Sequence, residues 1–146
     1  MLKATKTLAP LLGVFLVVLA LMLLPVAVPR AIAADAHVLI TATQTTSSGV
    51  TRTLAAADAA GNKFANDGRV WLDIANGYST TITVTVASPQ ALTKTVAIAA
   101  GSGKLIGPFR PYVYNQTGDD EGRVFVDYSQ ITSVTLAAFK PASNQN

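Results

Sequence analysis

The sequence predicts an all-β fold: a β-sandwich or jelly roll of about eight short antiparallel strands, preceded by an N-terminal hydrophobic helix. Three observations predict it. Beyond residue 34, apolar residues recur with a period of two. β-Branched residues fill those alternating runs. Clusters of Gly, Pro, Asn, Asp and Ser separate the runs at short intervals.

The N-terminal segment comes first. From Thr7 to Pro29 there is no charged residue; Lys3 and Lys6 precede this run and Arg30 follows it. A signal peptide needs a basic start, an apolar stretch of roughly 7–15 residues and a small-residue cleavage site. Leu11 to Leu24, between Pro10 and Pro25, supplies the stretch, and Ala31-Ile32-Ala33 supplies the site. A retained anchor needs about 20 apolar residues. Residues 8–28 reach that length, but Pro10 and Pro25 interrupt them. Cleavage after Ala33 is therefore the favoured expectation, with membrane attachment through residues 8–28 as its rival. The implied organisation is residues 1–33 as signal peptide or anchor, 34–140 as the β domain and 141–146 as a polar tail. Export to the periplasm, the extracellular space or the cell surface follows.

The alternation is clearest in Thr81-Ile82-Thr83-Val84-Thr85-Val86, where Ile82, Val84 and Val86 share one face and the threonines the other. Further strands are predicted at Val38–Thr43, Val50–Ala55, Arg69–Ile74, Thr95–Ala99, Lys104–Ile106, Arg123–Tyr128 and Ser133–Phe139. Turn signals divide them at Ser47-Ser48-Gly49, Asn66-Asp67-Gly68, Asn76-Gly77, Ser88-Pro89, Gly101-Ser102-Gly103 and Gly118 to Gly122. The Ala-rich stretch Leu54 to Ala60 is a candidate short helix, ended by Gly61.

Composition narrows the function classes. Of eleven Lys+Arg, three lie in the leader, so residues 34–146 carry eight basic and eight acidic side chains. The basic residues are spread singly, whereas a nucleic-acid binder concentrates them on one face to neutralise phosphates. Nucleic acid is excluded as a partner on that ground. There is no cysteine, so disulfides do not hold the domain. The single histidine, His37, lies close to the expected mature N-terminus, a poor place for rigid catalysis. One His without Cys also falls short of the clusters that bind zinc. Gly101-Ser102-Gly103-Lys104 resembles a phosphate loop, but the motif needs Gly at 98 and Ser or Thr at 105, where Ile98 and Leu105 stand. Asp119-Asp120-Glu121 lacks calcium-loop spacing and reads as a solvated tip. Asn115-Gln116-Thr117 fits the N-glycosylation sequon. No catalytic, cofactor-binding or metal-binding residue emerges, and the chain reads as a non-enzyme.

The partner-binding candidates come from two features. Gly68-Arg69-Val70-Trp71-Leu72-Asp73 recurs as Gly122-Arg123-Val124-Phe125-Val126-Asp127. In both copies the aliphatic row points to the core, Val70, Leu72 and Ile74 in one and Val124, Val126 and Tyr128 in the other. That leaves Arg69, Trp71 and Asp73, and Arg123, Phe125 and Asp127, for the opposite face. Aromatic and Arg side chains dominate interface energetics. The second feature is Gly107 to Asn115, which holds Phe109, Tyr112 and Tyr114 with Pro108 and Pro111. It reads as either a rigid corner over the end of the domain or a preordered contact loop.

The stretches "ANDGRVWLDIANG", "TITVTVAS", "VAIAAGSGKLIGPFRPYVYNQ" and "GRVFVDYSQITSVTLAAFK", within Ala65 to Lys140, carry a resemblance. Their order resembles that of small β-sandwich structural proteins of tailed phages, of the head-decoration or minor-capsid kind. The resemblance implies attachment to a larger protein assembly and no catalytic residues. The leader departs from it, since decoration proteins assemble inside a host cell. Either the fold is reused at a surface, or the hydrophobic segment is an anchor, or the likeness extends only to the grammar of sandwich strands. The leading expectation is a non-catalytic structural or surface protein that joins a protein assembly and can self-associate. The alternative is a secreted carbohydrate-binding module using Trp71 with Phe125, Tyr112 or Tyr114 as a glycan platform.

Overall fold

In the computed structural model, residues 36–142 are described. The predicted N-terminal helix, the cleavage site and the end of the polar tail lie outside them. The described residues are all-β and build two mixed sheets. The strands are β1 (Val38–Leu39), β2 (Ala42–Gln44), β3 (Ala55–Ala56), β4 (Asn62–Ala65), β5 (Trp71–Asn76), β6 (Ile82–Val86), β7 (Lys94–Ile98), β8 (Gly103–Ile106), β9 (Arg123–Tyr128) and β10 (Val134–Lys140). Helical structure among the described residues is limited to one turn, α1 (Pro111–Tyr114), and a 3-10 turn at Gly118–Asp120. No helix among them is long and apolar enough to cross a membrane.

The first sheet, A, runs β1-β4-β9-β6-β7, and the second, B, runs β2-β10-β5-β8 with β3 also on β10. β10 takes β5 on one side and shares its other side between β3, at Thr135 and Leu136, and β2, at Ala138 to Lys140. β1 and β7 are the end strands of sheet A, and β2 and β8 those of sheet B.

The alternation places the core. Ile82, Val84 and Val86 of β6 and Val124 and Val126 of β9 are buried in sheet A. Leu72 and Ile74 of β5 and Leu136 and Ala138 of β10 are buried in sheet B, and all of them belong to one hydrophobic cluster. Tyr128 ends the β9 row half-buried, packed against that cluster, with its hydroxyl donating to Asn62 Oδ1 at 3.1 Å. Burial, and then the neighbouring Asp127 charge, push that hydroxyl well above the ordinary tyrosine range.

Several expectations are corrected. Among the described residues ten strands form rather than about eight, and not all pair antiparallel: β1 runs parallel to β4 and β2 parallel to β10. The predicted strand Val38–Thr43 is split, because the chain crosses from one sheet to the other between Leu39 and Ala42. The predicted strand Val50–Ala55 shrinks to β3 at its end; Val50 to Thr53 are exposed and offer no buried row. The Ala-rich stretch is not helical: it supplies β3 and then a turn. β4 was missed because Phe64 is its only large apolar residue and Asn62, a poor strand former, takes the other buried position.

Candidate partner-binding surfaces

The sequence echo ends in two places. β5 belongs to sheet B and β9 to sheet A, so Trp71 and Phe125 lie on the outer faces of different sheets. They cannot form one aromatic platform, which removes the glycan arrangement that joined them. The two glycines that open the copies do match: Gly68 has φ 89° and Gly122 has φ 77°, a region that glycine enters without steric cost.

On the outer face of sheet B, Trp71 stands directly across from Phe139 of β10. Leu105 of the neighbouring β8 stands across from Asp73 and is 60% exposed. Trp71, Leu105, Phe139, Thr45, Lys140 and Pro141 line a shallow hollow of about 160 Å³. The pairing follows from alternation. Leu72 and Ala138 point inward, so their neighbours Trp71 and Phe139 point outward, where cross-strand aromatic pairs add stability. Arg52 grips Asp73 with both nitrogens of its fork, Nη2 lying 2.9 Å from Oδ1 and Nε bonding Oδ2. This gives the face a polar rim and sets the 45–54 loop beside it. Arg69 is exposed and turns to Asp67 of its own loop, Nη2 to Oδ2 at 3.0 Å. The Arg69 backbone amide, and then its side chain, hold the Asp67 carboxyl below the usual range.

The outer face of sheet A is occupied by this chain's own side chains. His37 stacks on Phe125 with ring centroids 4.4 Å apart and planes within 14°. The His37 ring is fixed by a 3.0 Å contact between Nε2 and Asp127 Oδ1. The close approach needs Gly61, where a Cβ would fall 2.5 Å from His37 Cδ2. Lys63, across the strand from Phe125, brings its Nζ to 5.8 Å from the ring centroid. Phe125 is therefore flanked from two sides.

The acidic tripeptide is not uniformly solvated. Asp119 and Glu121 are exposed, but Asp120 is 9% exposed and meets Lys63 Nζ at 2.8 Å and Arg123 Nη1 at 2.5 Å. Hydrogen bonds from Lys63 and then Arg123 hold its carboxyl below the usual range. Arg123 is thereby committed to an internal pair. Among the described residues no three His, Asp or Glu side chains gather in a way that could hold a metal ion.

The aromatic loop divides in the same manner. Phe109, at 1% exposure, packs on Phe64 at 5.5 Å and edge-on to Tyr114 at 5.8 Å. It is a core residue and presents no ring to a partner, which corrects its candidacy. Tyr114 is half-buried against the same cluster. Tyr112 alone stands out, 72% exposed, with Arg110 Nη1 3.3 Å from its hydroxyl. The loop is tied down by Ser88 Oγ donating to the Val113 carbonyl at 2.6 Å. A reciprocal pair adds to this: Asn66 Nδ2 donates to Asn115 Oδ1 at 2.7 Å, and Asn115 Nδ2 donates to the Asn66 carbonyl at 3.2 Å. The sequon asparagine thus has both side-chain atoms engaged.

Of the sequence candidates, Arg69, Trp71 and Tyr112 keep surface positions, Arg69 paired with Asp67 and the two aromatics on different elements. Leu105, Phe139 and Arg52 join Trp71 without having been singled out. Their signal is cross-strand register, which becomes visible only once β5, β8 and β10 are neighbours. No family model matches the chain, and no curated protein or solved structure matches it.

Proposed function

We propose that this chain is a non-catalytic β-sandwich or jelly roll that attaches to a larger protein assembly, as capsid-decoration or surface-layer proteins do, after export behind its apolar leader. The observation that carries the reading is the apolar cluster on the outer face of sheet B. Leu105 is largely exposed beside Trp71 and Phe139, within a rim made by Arg52, Asp73 and Lys140. Apolar side chains grouped on a surface and rimmed by polar residues mark protein contact sites, and aromatic anchors carry most of the energy at such sites. Folding does not require Leu105 to be apolar, since its inward neighbour Ile106 supplies the buried contact. Leu105→Glu is the test. Fractionated by sedimentation from the cells that make it, the wild-type full chain is expected with high-mass material, and the variant is expected to move to the position of a free chain with its thermal midpoint unchanged. A wild-type chain that sediments as a free chain would overturn the proposal.

A further inference from the structure

The two sheets have four open sides among the described residues, and three of them are guarded. β1 is two residues long; β2 and β3 are three and two residues and divide one side of β10. β8 carries Lys104 within it and runs into Gly107-Pro108. Shortness, charge and proline are the devices that keep a sheet edge from pairing with another chain. β7 is different. It spans five residues, pairs with β6 and no other described strand, contains no proline and carries one charge, Lys94, at its first position.

We infer that β7 is the seam of a homodimer, in which it pairs antiparallel with β7 of a second copy about Val96 and sheet A continues from one copy into the other. Centring on Val96 uses all five residues. Thr95 then faces the partner copy's Ala97, Val96 faces its own counterpart and Lys94 faces the partner copy's Ile98. Outer residues meet outer residues, because Thr95 and Ala97 are exposed while Val96 and Ile98 turn toward the core. A strand added in this register keeps the in–out alternation across the seam.

Charge selects a second copy in this orientation. Antiparallel pairing puts the two Lys94 side chains four residues apart, about 14 Å at strand rise, beyond the screening length of roughly 8 Å at physiological salt. Parallel pairing would set them side by side at the ~5 Å strand spacing. The outer face at the seam is Thr83, Thr85, Thr95 and Ala97 and carries no charge, whereas Lys94 has the core-side parity of Val96 and Ile98 and stands exposed at the end of the strand, so only the two ends of the seam bring a charge against the new neighbour. The symmetric register is a property of this strand with itself, and it separates a second copy from an unrelated chain.

The inference deepens the assembly reading by naming one partner, and it is read independently of that reading. The chain lacks cysteine, so introduced thiols are the only ones present. In the full chain, Thr95→Cys/Ala97→Cys places a thiol directly opposite its partner in the predicted register, within disulfide reach across a strand pair. Thr95→Cys alone leaves the two thiols offset along the strands and out of reach. Mild oxidation is expected to give a disulfide-linked dimer of the double variant at least ~10-fold above that of the single variant, on a non-reducing gel. Both positions are exposed, and unchanged circular dichroism checks that folding is intact. No dimer in the double variant, or equal dimer in both, overturns the inference. If the dimer is absent while the same chains still sediment with high-mass material, the seam is lost and the proposed function stands.

Discussion

Asp120 belongs to an acidic tripeptide yet is the least solvated of its members, because Lys63 and Arg123 both reach it. Asp120→Asn is expected to lower the thermal midpoint at neutral pH by removing the charge those two cations meet. The pH dependence has a definite sign. The folded-state carboxyl is held below its ordinary value, so its contribution is fully present above the unfolded value of ~3.9 and is lost as pH falls through the folded value. Melts of wild type and variant should differ at pH 7 and converge as the pH falls through the folded-state value; a difference that stays constant as the pH is lowered would show that the carboxyl is not linked to folding. The tripeptide was legible as an acidic loop, but its internal pairing was not. Lys63 lies 57 positions away in a strand that the period-two pattern does not reveal. Asparagines mislead in a similar way. Asn66 and Asn76 were readable as turn formers, and each does accept a backbone N–H two residues on, from Gly68 and Tyr78. Both are also buried, their amides bonded to the Phe109 and Ile98 carbonyls of distant segments, and that of Asn76 also to the nearby Thr80 carbonyl.

β6 shows what a sequence pattern transmits well. Its alternation alone puts Val84 inside and Thr83 outside, and the side chains fall that way, fully buried and exposed respectively. Val84→Asp buries an unpaired carboxylate and is expected to destabilise by about 4 kcal/mol or more, while Thr83→Asp is expected to change stability by about 0.5 kcal/mol or less. Urea denaturation of the two variants measures the difference, and equal effects would contradict the register. The rows of β5, β9 and β10 were legible for the same reason: β-branched and aliphatic residues at every second position. β4 was not, since two buried positions filled by Asn62 and Phe64 make no pattern. Nor does an echo between β5 and β9 say which sheet each copy enters. That depends on long-range pairing, β5 with β10 and β8, β9 with β4 and β6. The candidate surface was therefore half legible: Trp71 could be named from its strand, whereas Phe139 and Leu105 become its neighbours only through the sheet.

At the scale of the molecule, the absence of cysteine leaves stability to the shared core, to which sheet A contributes Phe64, Ile82, Val84, Val86, Ile98, Val124 and Val126. Sheet B faces them with Leu72, Ile74, Ile106, Val134 and Leu136. Thermal unfolding with calcium and with a chelator is expected to coincide, because Asp120 already has its cations and the acidic loop offers no ligand set among the described residues. A rise of several degrees with calcium would contradict this. The parallel pairing of β2 with β10 has a further consequence. β2 lies near the start of the described chain and β10 near its end, joined at Ala42–Ala138, Thr43–Phe139 and Gln44–Lys140. Tension applied between the two termini pulls these strands in opposite directions along their length. Their hydrogen bonds are then loaded together in shear, instead of being peeled open one after another. Resistance to pulling is governed by the rate of crossing that barrier rather than by equilibrium stability, so a three-residue strand acts as a mechanical clamp between the ends of the domain.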